Sequence, residues 1–467
     1  MDAKPPTYEE LVDLTRRQAR QIDELRAEVE RLKAELEQSR RAGKRQAAPF
    51  SKGTPKADPK RPGRKAGHPA SHRPAPPPGQ VDRTIEVPLP PECPACHATL
   101  GEAAVILHDQ YQIDLPEPEP VVTRFRVPVA RCPACRRRVQ GRHPEQTSDA
   151  LGAAAVQYGP RLLGLAADLK YRLGVSYRKC SSVLLTLTGM AVASAALVRS
   201  GHRLRKLAQP SYDRLVEAAS KSVVQHVDET GWRIGGRSAW LWVFADEHAT
   251  LYRIRPSRAH EVVVEVLGEE FAGVLVSDCF LAYDPLPFAK QKCLAHLLKT
   301  CGEIERSKAR GAARFSRRVA ALLRKAMALK RRRGTIGDHG YAALRGKIHA
   351  ELDRLSAGTY TDPDNARLAK RLRKQREHLL RFLDHDGVDA TNNLAEREIR
   401  PAVIARKLSA GNRTEAGAEA HAVLAGVLRT CRRQGRDILG ALSTLLRHGP
   451  GHLVPLLGGA AQAGPTR

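Results

Sequence analysis

Residues 223–232 read Val-Val-Gln-His-Val-Asp-Glu-Thr-Gly-Trp, an apolar run that closes on an acid, Asp228. A second run of the same design, Gly273-Val-Leu-Val-Ser-Asp278-Cys-Phe280, closes on Asp278. Short β-branched runs bounded by polar residues and glycine predict buried strands, with each acid at a strand tip. Side-chain alternation puts His226, Asp228 and Thr230 on one face of the first strand and Val227 and Glu229 on the other. Further strands are predicted at Ser222–Val227, Ala239–Asp246 (where Trp240 and Trp242 alternate), Thr250–Ile254, Val274–Ser277 and near Gln291–Leu294, with a helix at His260–Leu267. The prediction is a mixed α/β layer over residues 221–298.

A third acid has a different setting. In Thr391-Asn-Asn-Leu-Ala-Glu396-Arg-Glu-Ile-Arg400-Pro401, helical spacing puts Asn393, Glu396, Arg397 and Arg400 on one face and turns Glu398 away. Two strand acids and one helix acid, gathered by folding, suit a pair of hard divalent cations set against the attacking and leaving oxygens of a phosphate. Arg397 and Arg400 are placed to hold phosphates, or to pair with Glu396 and Glu398 along the helix. Asn393 either orients a phosphate or caps the helix. His296, three residues after Cys293, reads as a core or supporting residue in preference to a metal ligand.

The charge names the partner class. The 467 residues carry 78 Lys and Arg against 50 Asp and Glu, a formal net charge of +28, which argues for a polyanion bound through counterion release. No run of about 18 apolar residues exists to span a bilayer, and the first ten residues lack an apolar signal core, so the cytoplasm is the expected compartment. The length predicts several domains.

Working outward toward the N-terminus, residues 150–208 suggest three helices punctuated at Gly174-Val-Ser176 and Thr188-Gly189. The second junction has the length and glycine of a helix-turn-helix, and the last helix carries Arg203 and Arg205 as DNA contacts; plain helical packing is the alternative. Residues 81–145 hold Cys93-Pro-Ala-Cys96 and, after 35 intervening residues, Cys132-Pro-Ala-Cys135. Two identically spelled pairs predict a closed four-thiolate zinc site of structural purpose, against a redox reading that would place one such pair at the start of a helix. Residues 41–80 form a basic, proline-rich stretch with too little apolar content for a core, expected to be a disordered arm; within it Lys60, Arg61, Arg64 and Lys65 loosely resemble the hooks that enter an AT-rich minor groove, unless the stretch is only a spacer. Residues 7–40 repeat Leu11, Ile22, Leu25, Val29, Leu32 and Leu36 at heptad spacings, a coiled coil through which the chain would self-associate.

Toward the C-terminus, residues 299–386 read as helices. Twelve basic residues and two acids lie between Glu303 and Arg333, and Arg314, Arg317 and Arg318 stand out as a phosphate-contacting face. Residues 387–412 form the helix of Glu396, and residues 413–467 a C-terminal helical tail.

These pieces in this order resemble the bacterial transposases of the insertion-sequence-sixty-six family over nearly the whole chain. The residues carrying the resemblance are Val227-Asp228-Glu229-Thr230 with Trp232, Val276-Ser277-Asp278 with Tyr283-Asp284, Cys293-Leu-Ala-His296, and Asn392-Asn393-Leu-Ala-Glu396-Arg397. The resemblance implies a multidomain α/β protein: an RNase H-like mixed-sheet catalytic core with a helical insertion, preceded by coiled-coil, zinc-finger and helix-turn-helix modules. It implies that Asp228, Asp278 and Glu396 are the catalytic acids and bind two Mg2+ or Mn2+ ions, beside a structural Zn2+. The implied partner is double-stranded DNA, both element ends and target, met at the nucleoid; the coiled coil makes the expected form a homo-oligomer, and accessory proteins encoded by the same element are an open further partner class. The expected activity is cleavage at terminal inverted repeats followed by strand transfer. A non-catalytic zinc-finger DNA-binding protein and a nuclease without strand transfer are the competing readings. The stretch Leu408-Ser-Ala-Gly411-Asn-Arg-Thr-Glu-Ala-Gly417 departs from better-known members of the family.

Overall fold

The computed structural model describes residues 7–44, 73–101, 106–308, 311–449 and 456, in two units that divide between residues 72 and 73. The first unit holds one helix, α1 (Tyr8–Lys44). Ile22, Leu25, Val29 and Leu32 on it are exposed, and Asp13–Arg17 and Glu28–Arg31 ion pairs run along its surface. Lys60, Arg61, Arg64 and Lys65 lie outside the described residues.

The second unit begins with extended chain and two cysteine turns, the second carried on the hairpin β1 (Val129–Arg131) and β2 (Arg138–Gln140). Then come α2 (Pro160–Ala167), which widens into one π-helical turn at Asp168–Arg172, α3 (Tyr177–Thr188) and α4 (Ser194–Ser220). Ser176 caps α3 and Gly189, at φ 67°, ends it in the left-handed conformation that glycine adopts without strain. The expected three helices are thus present, but α4 runs far beyond a recognition helix. Its Leu204, Ala208, Tyr212, Leu215 and Ala219 are buried in the central core, so its C-terminal half is a structural beam.

That core is organised by five strands: β3 (Val224–Ile234), β4 (Arg237–Ala245), β5 (Thr250–Arg255), β6 (Val274–Ser277) and β7 (Ala289–Lys292), in the order β5-β4-β3-β6-β7. The first three form an antiparallel meander; β6 and β7 run parallel to β3 after a crossover through α5 (Glu261–Leu267). Val227, Trp242 and Phe244 pack on one face with α4 and α5. Trp232, Leu241 and Val243 pack on the other against Ala395, Ile399 and Ala402 of α10 (Asn393–Ser409). Full burial of side chains this size is worth roughly 1.5–3 kcal/mol each.

Asp228 corrects one expectation: it sits in the middle of β3, not at its tip. The polar run Asp-Glu-Thr-Gly interrupts the apolar pattern, yet β3 stays paired with β4 from His226 to Ile234 because Gly235 and Gly236, at φ 56° and 81°, close a tight hairpin of matching twist. Asp278 does follow the last residue of its strand.

Between β7 and α10 lies a helical block, α6 (Leu294–Ser307), α7 (Ala313–Arg331), α8 (Asp338–Ala357) and α9 (Pro363–Lys374), with its own core around Val319, Leu323, Ile348, Leu352 and Leu372. Two further helices, α11 (Glu415–Arg433) and α12 (Ile438–His448), close the chain. The expected tail is therefore integral to the core: Val423, Leu424, Val427 and Leu428 of α11 are buried against the same cluster as α4. Gly411 lets α10 hand over to it. At φ 107°, any Cβ there would stand 2.3 Å from the Arg233 carbonyl oxygen, and Asn412 extends β3 by bonding to Arg233 and Gly235.

Candidate functional site

Register brings the first two acids together. Val224 pairs with Val274 and His226 with Val276 in the parallel β3–β6 ladder. Continued by two residues, the same register sets Asp228 beside Asp278 on the same sheet face, where β6 ends and the strands part. Asp228 Oδ1 accepts the Glu229 N–H at 2.9 Å, and Asp278 Oδ1 accepts the Phe280 N–H at 2.9 Å. Both side chains are half-buried.

The third acid arrives on α10, the helix that covers this face. One residue ties that helix to β3. Asn392, 1 % exposed, donates from Nδ2 to the Val227 carbonyl at 2.8 Å and meets His226 Nδ1 through Oδ1 at 3.1 Å. Its backbone N–H points at Cys293 Sγ, 3.2 Å away, and the Leu294 N–H donates to the Ala390 carbonyl at 2.9 Å. The start of α10 is thereby fastened to the residue before Asp228 and to the start of α6, and Glu396 follows one turn later.

The electrostatics report the gathering. The Asp228 carboxyl is pushed up to about 7, chiefly by its burial, then by the neighbouring Glu229, with Asp278 and Glu396 adding to the same effect. Among the described residues, no Lys or Arg forms an ion pair with Asp228, Asp278 or Glu396. The three carboxylates do not, however, form one tight cluster: among the described residues, the group of three or more donors within 4.8 Å of each other is Cys293, His296 and Glu396. Asp228 and Asp278, both half-buried, and Glu396, which faces His296, offer carboxylate oxygens of the kind that hard divalent cations take.

The two neighbouring glutamates are committed elsewhere. Glu229, on the opposite face, accepts from Tyr283 Oη at 2.5 Å and from Arg258 at 2.8 Å, and Arg258 in turn lies over the rings of Trp240 and Phe280. Glu398, 2 % exposed, accepts from Arg429 at 2.7 Å and from Thr250 at 3.3 Å. Behind Asp278, the fully buried Lys292 donates to Ser277 Oγ at 3.2 Å, with its ammonium 5.2 Å from the Tyr283 ring centre. Sequence reading gave no role to Asn392, Arg258 or Lys292. For Asn392 a signal existed, since an Asn doublet opens the Glu396 helix; for the other two the partners are remote in the chain.

The remaining site residues divide by how freely they stand. Asn393, Arg397 and Arg400 are exposed on α10, with Arg397 Nε 3.6 Å from Glu398. Asn393 is the first residue of the helix, and no side chain caps it. Arg314 is exposed on α7, whereas Arg317 pairs with Glu305 at 2.8 Å and Arg318 with Glu351 at 3.0 Å. Arg205 pairs with Glu419 of α11 at 2.7 Å, and Arg203 donates to the Thr147 carbonyl.

The two cysteine pairs form matching turns. The Cys93 N–H donates to Ala98 and the Cys132 N–H to Arg137, while His97 and Arg136 both turn into the left-handed region near φ 60°. The Cys93 and Cys132 thiols are lowered in each turn, mainly by backbone N–H groups that point at sulfur. Each turn so offers two sulfur donors to a metal, but among the described residues no three of the four sulfurs lie within 4.8 Å of one another. No helix among the described residues is long and apolar enough to cross a membrane.

The chain is 27 % identical over 401 residues, 78 % of its own length and 72 % of the relative's, to the uncharacterized protein y4qI of Sinorhizobium fredii (strain NBRC 101917 / NGR234). It is 31 % identical over 96 residues to y4jO, an uncharacterized protein of the same strain, spanning 21 % of this chain and 29 % of that one. The sequence model described as "Transposase IS66 family" matches residues 155–420, a span that takes in α2 to the start of α11 and all three acids, and the chain belongs to that family.

Proposed function

We propose that the chain is a DNA transposase whose Asp228, Asp278 and Glu396 hold two Mg2+ or Mn2+ ions and cut and join DNA strands at the ends of its element. The observation that carries this reading is the raised carboxyl of Asp228, half-buried beside Asp278 in the β3–β6 register, with Glu396 adding to the rise from α10. The strand order, with a long central strand, an antiparallel meander on one side and two parallel strands on the other, supports an RNase H-like core.

In this reading Asp228, Asp278 and Glu396 would hold the ions, which when bound would supply charge neutralisation at a phosphate and a more acidic attacking water or hydroxyl. Asp228 on β3 and Asp278 just past the end of β6 would hold the ions, and Glu396 would complete the set from α10. Asn392 keeps that helix in register with β3. Arg397 and Arg400, exposed beside Glu396, hold phosphates of the strand being cut, and Arg314 extends the contact along the helical block. The two cysteine pairs, which stand apart in this structure, would each lend two sulfurs to a structural Zn2+, and α1 pairs with α1 of a second copy through Ile22, Leu25, Val29 and Leu32.

The test is a cleavage assay. Purified protein with Mn2+ should nick duplex DNA bearing its element's terminal repeats and yield joined products with target DNA. Undiminished cutting by Asp278→Asn would reject the catalytic assignment; nicks without joined products would leave a nuclease.

A further inference from the structure

Cys293, His296 and Glu396 take no part in the hard-ion chemistry as a set, yet their sulfur, nitrogen and oxygen donors all lie within 4.8 Å of one another. We propose that these three side chains form a second metal site, for a borderline transition-metal ion of the Zn2+ class, which shares Glu396 with the carboxylate site.

Local structure builds the set. Cys293 precedes the first residue of α6, and His296 lies three residues on, so the helix presents Sγ and the imidazole on one side. Glu396 reaches them from α10, with its Oε1 4.0 Å from His296 Nδ1. Tetrahedral ligands about 2.0–2.3 Å from a zinc ion stand roughly 3.3–3.8 Å apart, so the ion would draw the His296–Glu396 pair inward by about half an ångström and the Cys293 sulfur by about 1 Å at most. The Asn392 N–H aimed at Cys293 Sγ supplies the supporting hydrogen bond that a metal-bound thiolate ordinarily receives.

The donor types choose the ion. A thiolate and an imidazole select Zn2+, Co2+ or a similar ion over Mg2+, which wants oxygen throughout. Three protein donors leave a fourth position open, and His296, 46 % exposed, leaves solvent access to it. Because Glu396 cannot serve both sites fully, Zn2+ in this one withdraws an acid from the other. That consequence rests on the proposed catalytic role of Glu396; the site itself does not.

The experiment uses the full chain and Co2+ as a spectroscopic probe. Wild type should bind one more equivalent of Co2+ than His296→Ala, with a matching difference in thiolate-to-cobalt absorption that Glu396→Gln also loses; the Cys93, Cys96, Cys132 and Cys135 contribution cancels in the comparison. Cys293 is buried and its replacement can unfold the chain, so the half-exposed His296 is the primary variant. Equal Co2+ stoichiometry and equal absorption in all three proteins would overturn the site. In a second arm, Zn2+ should inhibit Mg2+-dependent DNA cutting, and His296→Ala should need about tenfold more Zn2+ for the same inhibition. Equal inhibition of the two proteins would overturn the coupling. Loss of the Co2+ equivalent in a protein that cuts no DNA with any metal would uphold the site and reject the catalytic reading.

Discussion

Cys93 and Cys96 are three residues apart and lie in a single turn, while Asp228 and Asp278 are 50 residues apart and lie on neighbouring strands. The cysteine turns need only local backbone, a few N–H bonds and one left-handed residue each, and they form without a surrounding core. The acids need a sheet register, a covering helix and Asn392 between them. Short-range spacing makes a pair of ligands, but it does not bring one pair to another. Only packing gathers donors from distant parts of a chain, and it does so by burying charge that repels.

That contrast can be broken at its strongest point first. Asn392→Ala removes two hydrogen bonds and leaves the Val227 carbonyl and His226 buried without partners, so the fold should lose about 2–4 kcal/mol in denaturant unfolding; a loss under about 0.5 kcal/mol would show that α10 is held by its apolar face alone. Asp228→Asn should act in the opposite direction. The folded carboxyl holds its proton up to about pH 7, whereas an unfolded one releases it near 3.8, so between these values the folded state binds more protons and wild-type stability falls as pH rises. In chelated buffer above pH 7, Asp228→Asn should therefore be more stable than wild type by about 1–3 kcal/mol, the difference shrinking toward pH 4. Differential melting across that range reads it directly.

Smaller effects mark the edges of the comparison. Tyr283→Phe removes the hydroxyl that Glu229 accepts from but leaves Arg258 in place, so a cost of about 1–2 kcal/mol is expected, with metal binding retained. Cys96→Ser should change melting of the central core by less than about 0.5 kcal/mol, because the exposed turn shares none of its apolar contacts. A large drop would mean that the cysteine segment supports the sheet.

Much of the sheet was legible. The alternating Trp240 and Trp242 mark β4, the run Val274–Ser277 is β6 to the residue, and Asp278 follows it as expected. Asp228 was legible as an acid on a strand but not as a mid-strand residue, since pairing with β4 and a two-glycine turn, not local propensity, carry β3 on to Ile234. The helix face of Glu396 was readable from its spacing, and Glu398 does turn inward, though its partner Arg429 was not foreseeable. Buried partners of that kind depend on elements far apart in the chain. So does α11: its run of small and apolar residues from Ala420 to Leu428 signals a helix buried on all sides, yet only the packed fold shows that it closes the core.

The central claim is that three distant carboxylates make one site for hard cations, and binding of Mn2+ by the full chain, followed by electron paramagnetic resonance, tests it without calling on activity. Wild type should take up Mn2+ at this site, and Asp228→Asn, Asp278→Asn and Glu396→Gln should each lose most of it while melting as cooperatively as wild type. Retention of the same Mn2+ affinity and stoichiometry by all three variants would contradict the account.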